Sequence, residues 1–197
     1  MIRIGLTGSI GMGKSAVAAM FKAEGVPVFD ADAAVRQLQG RGGLLLDAIE
    51  DRFPGTTGPR GVDRQKLGGL VFGKPEELIA LERIVHPAVY RFRQRFLQKH
   101  RSHAVVLLDI PLLFEKGGAK QADVVVVVSA PGWVQRRRVL ARAGMTALKF
   151  KRINALQVPD VIKRGRADYV IKTGCLRHQT RQSVRHLIAC LRARKSG

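Results

Sequence analysis

The sequence is poor in acidic residues, in cysteine and in aromatic side chains. Asp and Glu number 15 against 35 Lys and Arg, which gives a net charge of +20 at pH 7. So large a basic excess excludes a neutral binding module and favours polyanionic partners such as phosphates, nucleotides, nucleic acid or an acidic membrane. The two cysteines, Cys175 and Cys190, provide neither a disulfide framework nor a metal cluster. Such cysteine usage is typical of a reduced, cytoplasmic protein.

Long hydrophobic runs are also missing. Apolar runs such as residues 124–128 have the length of a strand, whereas a membrane-spanning helix needs about 20 apolar residues. The N-terminus lacks the basic region, the apolar stretch and the cleavage site of an export signal. We therefore expect no membrane partner and a cytoplasmic location. The 197 residues, 46% hydrophobic and 25% charged, suffice for one globular core.

Short apolar segments alternate with helical patterns along much of the chain. The segment 123–129 contains five consecutive valines and is apolar on both faces, as a buried parallel strand would be. Strands separated by helices predict an α/β fold in which a parallel sheet has helices on both sides. The predicted strands are 2–7, 26–29, 104–108, 123–129 and 169–171.

Three segments depart from this alternation. Residues 36–100 have helical signals and no clear strand signal, which predicts a helical insertion. Residues 134–166 contain ten basic residues and one acid, Asp160, so we expect this segment to be exposed rather than part of the core. The tail, residues 176–197, is predicted to be a helix and contains no acidic residue.

A phosphate-binding loop is the strongest motif in the chain. Residues 8–15 match the pattern G-x-x-x-x-G-K-[ST] without a mismatch. Glycines allow the backbone N–H groups to point at phosphate oxygens, and the following helix adds its N-terminal dipole. An ordinary glycine-rich turn is the alternative, but this motif lies after a strand and before a helix, as phosphate binding requires. The predicted ATP-binding residues are Gly8, Gly11, Met12, Gly13, Lys14, Ser15 and Ala16.

The rest of the sequence narrows the class of nucleotide-binding protein. It contains neither the N-K-x-D stretch of a GTPase nor the L-S-G-G-Q signature of an ABC-type ATPase. A small core, a helical insertion and an arginine-rich segment are the parts of a small-molecule kinase, whose lid closes over the triphosphate.

Two carboxylates and one arginine are the further candidates. Asp32 follows the second predicted strand and could orient an attacking hydroxyl as a general base. The alternative for Asp30 and Asp32 is to cap a helix at 31–38, and for Asp30 a cap or a supporting role is the preferred interpretation. Asp109 ends a strand, where a carboxylate could hold Mg²⁺ or simply begin a turn. Among the arginines of 134–166 we select Arg142, which precedes a break at which a lid would bend.

The sequence as a whole resembles the dephospho-coenzyme A kinase family. The segment 5–15 reads G-L-T-G-S-I-G-M-G-K-S, and D-A-D follows at 30–32 with Arg36 after it. Later stretches match in the family order: D-R-x-x-L at 63–67, L-E-x-I-x-H-P at 81–87, P-L-L-F-E at 111–115, an arginine series at 135–142, R-I-x-x-x-Q at 152–157 and A-D-Y-V-I at 167–171.

The resemblance implies a three-layer P-loop kinase fold with a five-stranded parallel sheet. The nucleotide-binding core would comprise residues 1–35, 101–133 and 167–197. The insertion, residues 36–100, would bind the acceptor, and the lid segment, residues 134–166, would cover the triphosphate. The implied reaction is ATP-dependent phosphorylation of the ribose 3′-hydroxyl of dephospho-coenzyme A, which gives coenzyme A and ADP in the last step of coenzyme A biosynthesis.

The family pattern also assigns roles. Asp32 would be the base, Lys14 would act on the triphosphate, and Arg142 would belong to the lid. Mg²⁺ would be the cofactor, and ATP and dephospho-coenzyme A would be the partners. Ser15 and Asp109 would be the metal ligands, and Thr7, Asp32, Arg64 and His86 would lie in the acceptor site. For His86 the alternative is a buried, hydrogen-bonded histidine before a proline turn.

Two other functions are compatible with parts of the sequence. Shikimate kinase also has D-x-D after its P-loop, but its glycine triplet is absent and P-L-L-F-E does not suit it. A nucleic-acid-binding protein would use the basic lid segment and tail. Aromatic residues make up only 6%, so base-stacking platforms are few, and we expect no specific nucleic acid partner. The chain departs from the family at residues 172–174, which read K-T-G where the family often has an Asn before the final helix, and this departure affects the predicted adenine-side contacts.

Overall fold

The computed structural model describes residues 1–115 and 117–194, and it divides into two compact units. The first unit comprises residues 1–29 and the chain from residue 100 onward, and the second comprises residues 30–99. The predicted helical tail and core boundary at 197 extend into residues 195–197, which lie outside the described residues.

A five-stranded sheet forms the centre of the larger unit, as the sequence predicts. The strands follow the order β2-β5-β1-β6-β7, and pairs β1–β5, β1–β6 and β6–β7 are parallel. A separate antiparallel pair, β3–β4, lies in the second unit and was not expected from the sequence. The strands are β1 (Ile2–Thr7), β2 (Val28–Asp30), β3 (Thr57–Gly58), β4 (Gly61–Val62), β5 (Val105–Asp109), β6 (Val124–Ser129) and β7 (Tyr169–Lys172).

Helices connect the strands and cover the sheet, so the α/β, three-layer prediction is confirmed. Within the described residues, no helix combines the length and hydrophobicity that crossing a membrane requires. The helices are α1 (Lys14–Ala23), α2 (Ala31–Leu38), α3 (Leu46–Arg52), α4 (Arg64–Val71), α5 (Pro75–Lys99), α6 (Gly132–Leu140), α7 (Ala147–Ala155), α8 (Asp160–Gly165) and α9 (Arg177–Ala193), with a 3-10 turn at Gly118–Gln121.

The main core lies between one face of the sheet and helices α1 and α9. Phe21 of α1 and Leu191 of α9 are fully buried there, together with Leu6 and Val126 from the strands. Complete burial of one such side chain contributes about 1.5–3 kcal/mol, so this layer fixes α1 against the sheet. Because α1 begins directly after the glycine-rich loop, that packing also fixes the loop.

The second unit has its own hydrophobic core. Leu38, Ile49, Phe53 and Leu67 are buried in it, and α5 packs against α2, α3 and α4. Helix α5 continues through Pro87 for 25 residues in total. The sequence-based expectation of a turn at this proline is therefore wrong: the helix tolerates the loss of one backbone donor.

The lid segment is not uniformly exposed. Helix α7 has no buried residue, as the basic composition predicts. Lys163 in α8, however, is fully buried and forms an ion pair with Glu115, with Nζ and Oε1 2.8 Å apart. The expectation that this whole segment lies outside the core is wrong at Lys163, because a buried carboxylate compensates the charge.

Candidate active site

The glycine-rich loop connects the end of β1 to the start of α1. Gly11 and Gly13 have φ angles of +78° and +92°, which residues other than glycine rarely adopt. A Cβ atom on Gly8 would lie 2.7 Å from the carbonyl oxygen of Val128 in β6. The glycines are thus required both by the turn and by the close approach of β6, and the turn brings the first N–H groups of α1 to the sheet edge.

Met12 is anchored at the back of this loop. Its side chain is buried, and its sulfur accepts a hydrogen bond from the N–H of Ala130 at 3.2 Å. The hydroxyl of Thr173 donates to the Met12 carbonyl oxygen at 2.6 Å. The side chain of Met12 is therefore structural, and any contact with phosphate would use its backbone N–H.

Lys14 and Asp109 meet at the sheet edge. Asp109 ends β5, which pairs with β1 so that Leu6 is the register partner of Asp109. Lys14 Nζ forms an ion pair with Asp109 Oδ1, and the two side chains are only 16% and 9% exposed. The structure thus brings together the two residues that the sequence proposed for phosphate and metal binding. Coulombic attraction is strong in such a setting because water screens it poorly.

Ser15 and Ala16 continue the loop into the first turn of α1. Both are exposed, in contrast to Lys14 and Asp109. The exposed hydroxyl of Ser15, next to a helix N-terminus, is a suitable ligand for a hard cation that also binds phosphate oxygens. Within residues 1–115 and 117–194, no group of three or more His, Cys, Asp or Glu side chains is arranged to hold a metal ion.

The segment after β5 lies against the end of β1. Thr7 is fully buried, and its hydroxyl donates to the carbonyl oxygen of Pro111 at 2.9 Å. Glu115, the acid of the P-L-L-F-E stretch, accepts from the N–H of Val158 at 2.9 Å and pairs with Lys163. Burial alone raises the pKa of Glu115, but hydrogen bonds from Lys163 and backbone N–H groups outweigh it and lower the pKa below its ordinary 4.5.

The lid arginines have different environments. Arg142 is exposed in the turn after α6, next to Gly144 with φ +70°. Arg137 stacks over the Trp133 ring at 5.4 Å. Arg138 instead points at the loop before α9, where its guanidinium donates to Thr173 Oγ1 at 3.0 Å and to the Thr173 carbonyl oxygen at 2.6 Å.

Arg138 and Thr173 are thus part of the phosphate-loop support that the sequence analysis missed. A Cβ atom on Gly13 would lie 3.1 Å from Thr173 Oγ1 and 3.3 Å from Arg138 Nη1, so both groups lie directly behind the loop. The sequence signal was the departure from the family at residues 172–174, where the family pattern predicts adenine contacts and the structure instead has Thr173 supporting the loop at Met12.

The remaining candidates belong to the second unit. Asp30 caps α2, since its Oδ1 accepts from the N–H of Ala33 at 2.8 Å, so the capping alternative holds for Asp30. Asp32 lies in the first turn of α2 with its side chain exposed. Arg64 begins α4 and is exposed. His86 is exposed within α5, so the alternative of a buried histidine before a turn is wrong.

Comparison with known proteins agrees with this geometry. The family model for dephospho-CoA kinase matches residues 2–177. A dephospho-CoA kinase of Novosphingobium aromaticivorans is 61% identical over 189 residues, which cover 96% of this chain and 94% of that protein. The dephospho-CoA kinase of Zymomonas mobilis is 48% identical over 191 residues, with 97% of each chain covered.

Solved structures show the same fold. A Thermus thermophilus protein superposes with a TM-score of 0.84 at 36% identity, covering 95% of this chain and 96% of its own. Dephospho-CoA kinase from Campylobacter jejuni gives 0.64 at 22% identity, covering 96% of both chains. Shikimate kinase from Acinetobacter baumannii, at 16% identity and a TM-score of 0.53, shares the fold alone. A P-loop whose lysine contacts a strand-end carboxylate, in a chain matched almost throughout by one family, therefore makes this protein a member of the dephospho-CoA kinase family, which catalyses the final step of coenzyme A biosynthesis.

Proposed function

We propose that this protein transfers the γ-phosphoryl group of ATP to the ribose 3′-hydroxyl of dephospho-coenzyme A and works in the cytoplasm. The hydroxyl oxygen forms a bond to the γ-phosphorus, and the bond from that phosphorus to the β–γ bridging oxygen breaks. The electron pair of the broken bond leaves with ADP, and the hydroxyl proton passes to a base. The observation that carries the proposal is the pairing of Lys14 and Asp109 beside the phosphate loop.

The phosphate loop binds the triphosphate in this proposal. The turn from Gly8 to Gly13 presents backbone N–H groups, to which the first residues of α1 add the helix dipole. Lys14 supplies a positive charge to the β- and γ-phosphates, where negative charge is redistributed during transfer. Gly11, Met12 and Ala16 contribute backbone contacts.

The oxygen donors present fit Mg²⁺. The Ser15 hydroxyl and the Asp109 carboxylate are hard ligands, and Mg²⁺ typically binds one or two such groups together with substrate phosphates. When bound, the ion neutralises charge on the phosphate oxygens. Asp109, nearly buried at the end of β5, also holds the Lys14 ammonium close to the loop.

Asp32 is the base in this proposal, and the lid supplies positive charge. In this role, the carboxylate of Asp32 accepts the proton of the 3′-hydroxyl. Asp32 is suited to it because it lies in the first turn of α2 with its side chain exposed, so that a substrate hydroxyl can reach it from solvent. Arg142, which is exposed after α6, neutralises charge on the transferred phosphoryl group from the lid segment, residues 134–166.

The helical insertion, residues 36–100, binds the acceptor in this proposal. Its exposed side chains Arg64 and His86 donate hydrogen bonds to the phosphate groups of dephospho-coenzyme A. Thr7 acts from the core: its hydroxyl fixes Pro111 and hence the P-L-L-F-E segment. The core itself comprises residues 1–35, 101–133 and 167–197.

The test is a purified protein assay with acceptors compared side by side. ADP should form only when ATP, Mg²⁺ and dephospho-coenzyme A are all present, and mass spectrometry should show dephospho-coenzyme A gaining one phosphoryl group to become coenzyme A. Shikimate serves as the control acceptor, because shikimate kinases share the fold. ADP formation with shikimate and none with dephospho-coenzyme A would overturn the proposal.

A further inference from the structure

The backbone of Ile10, in the middle of the phosphate loop, is held at both its N–H and its carbonyl oxygen by side chains of the lid segment. The N–H of Ile10 donates to Gln157 Oε1 at 2.9 Å. The carbonyl oxygen of Ile10 accepts from Gln135 Nε2 at 2.8 Å. The two glutamines therefore present opposite ends of their amides, one an acceptor and the other a donor.

Both glutamines are held in place by their surroundings. Gln135 is buried in the first turns of α6, and its Nε2 also donates to Asn154 Oδ1 at 3.3 Å. A Cβ atom on Gly11 would lie 2.9 Å from the Gln135 carbonyl oxygen, so the loop packs directly on α6. A cavity of about 370 Å³ lies beside them, lined in part by Ser9, Gln135, Asn154 and Gln157.

Gln157 lies where the lid segment returns to the core. After it, Val158 donates to Glu115, and Ser129 Oγ donates to Asp160 Oδ2 at 2.7 Å. Before it, α7 has no buried residue. Gln135 and Gln157 thus stand at the two ends of the exposed lid excursion, and both contact the backbone of the same loop residue, Ile10.

We propose that Gln135 and Gln157 are positioning residues that couple the lid segment to the curvature of the phosphate loop. With the two peptide groups on either side of the Ile10 Cα atom each fixed by one glutamine, the N–H groups that follow Ile10 are preorganised for the triphosphate. Preorganised donors act without the cost of ordering the loop when ATP binds. The inference rests on the proposed use of ATP.

Matched substitutions separate this role from a general effect on stability. Gln157→Glu keeps an acceptor for the Ile10 N–H, whereas Gln135→Glu removes the donor to the Ile10 carbonyl oxygen and places an oxygen against it. Both changes add one negative charge next to the backbone of Ile10, so their electrostatic effect on ATP is similar. Only the hydrogen-bond polarity differs. Gln157→Met and Gln135→Met remove the hydrogen bonds with no change in charge.

We expect each Met variant to raise the KM for ATP about 3- to 10-fold, the equivalent of one lost hydrogen bond, with the KM for dephospho-coenzyme A unchanged. The KM of the double Met variant for ATP should be about that of the more affected single variant, because both side chains act on the backbone of one residue, Ile10. Gln135→Glu should raise the KM for ATP well beyond Gln157→Glu. Gln182→Met, on the exposed face of α9, is the control and should match wild type.

Amide hydrogen exchange of Ile10, measured by NMR on the full chain without nucleotide, provides a readout independent of catalysis. Exchange should be faster in Gln157→Met and remain slow in Gln157→Glu. Equal exchange in the two Gln157 variants, or equal ATP effects of Gln157→Glu and Gln135→Glu, would overturn the proposal. Should Gln135→Glu fail to fold, the two variants at the half-buried Gln157 still decide. Failure of wild-type phosphorylation with these exchange results intact would contradict the proposed function alone.

Discussion

Lys14 Nζ forms an ion pair with Asp109 Oδ1 at the edge of the sheet, between the first residue of α1 and the last residue of β5. Both side chains are mostly buried, so each charge depends on the other for compensation. Two groups proposed for phosphate and metal binding thus hold each other in place before any ligand binds.

Replacement of Lys14 should sharply lower the efficiency with which the enzyme uses ATP. We expect Lys14→Met to lower kcat/KM for ATP by roughly 100- to 1000-fold, since one preorganised charge next to the developing phosphate charge is lost. A steady-state ADP assay measures the effect. Lys22→Met, an exposed lysine in the last turn of the same helix, is the control and should leave kcat/KM unchanged. A similar loss in both variants would contradict a specific role for Lys14.

The role of Asp32 is tested by a change that keeps its shape. Asp32→Asn should lower kcat by about 100- to 10,000-fold, because the amide cannot accept the proton of the 3′-hydroxyl. ATP affinity, measured by calorimetry, should remain near wild type. Asp47→Asn, an exposed acid in the first turn of α3, should have full activity. Near-normal turnover in Asp32→Asn would remove this residue from the mechanism.

The Glu115–Lys163 pair predicts a pH dependence of stability. The folded pKa of Glu115 lies below its ordinary 4.5, so the stabilisation it provides is complete above about pH 4.5 and is lost as pH falls through the lower folded value. At pH 7, Glu115→Gln should lower the free energy of unfolding by about 3 kcal/mol, since Lys163 stays buried without its charged partner. Urea unfolding from pH 7 to pH 3 should show this difference shrinking below pH 4.5.

The double variant Glu115→Gln with Lys163→Met provides the control for that experiment. It removes both charges from the buried site, so it should be more stable at pH 7 than Glu115→Gln alone. A difference between wild type and Glu115→Gln that stays constant down to pH 3 would show that Glu115 does not titrate as described.

Gly13 should be intolerant of even one added carbon. Gly13→Ala combines a φ of +92° with a Cβ atom only 3.1 Å from Thr173 Oγ1, so we expect a loss of about 1–2 kcal/mol in unfolding free energy and a large rise in the KM for ATP. Gly132→Ala, where the new Cβ atom meets nothing within 4 Å, should be neutral in both thermal unfolding and activity. Equal behaviour of the two variants would contradict the strain argument.

Much of the fold could be predicted because its signals are local. The valine-rich strand β6, the helix after the phosphate loop and the cap at Asp30 each follow from a short stretch of sequence whose periodicity or capping chemistry specifies one conformation. Helix α5 and the two-residue strands β3 and β4 were not predictable in the same way. Proline at residue 87 is a poor guide when packing favours a continuous helix, and two residues are too few for a strand pattern.

By itself, the sequence determined the phosphate loop, the parallel sheet and the family, because adjacent residues carry the required chemistry and order. Only the tertiary structure decided which distant groups support the loop: Asp109 against Lys14, Thr173 against Met12, and Gln157 against Ile10. These pairs lie 95, 161 and 147 residues apart in the chain. No periodicity in the sequence marks such contacts, since the packing of strands and helices brings the partners within hydrogen-bonding distance.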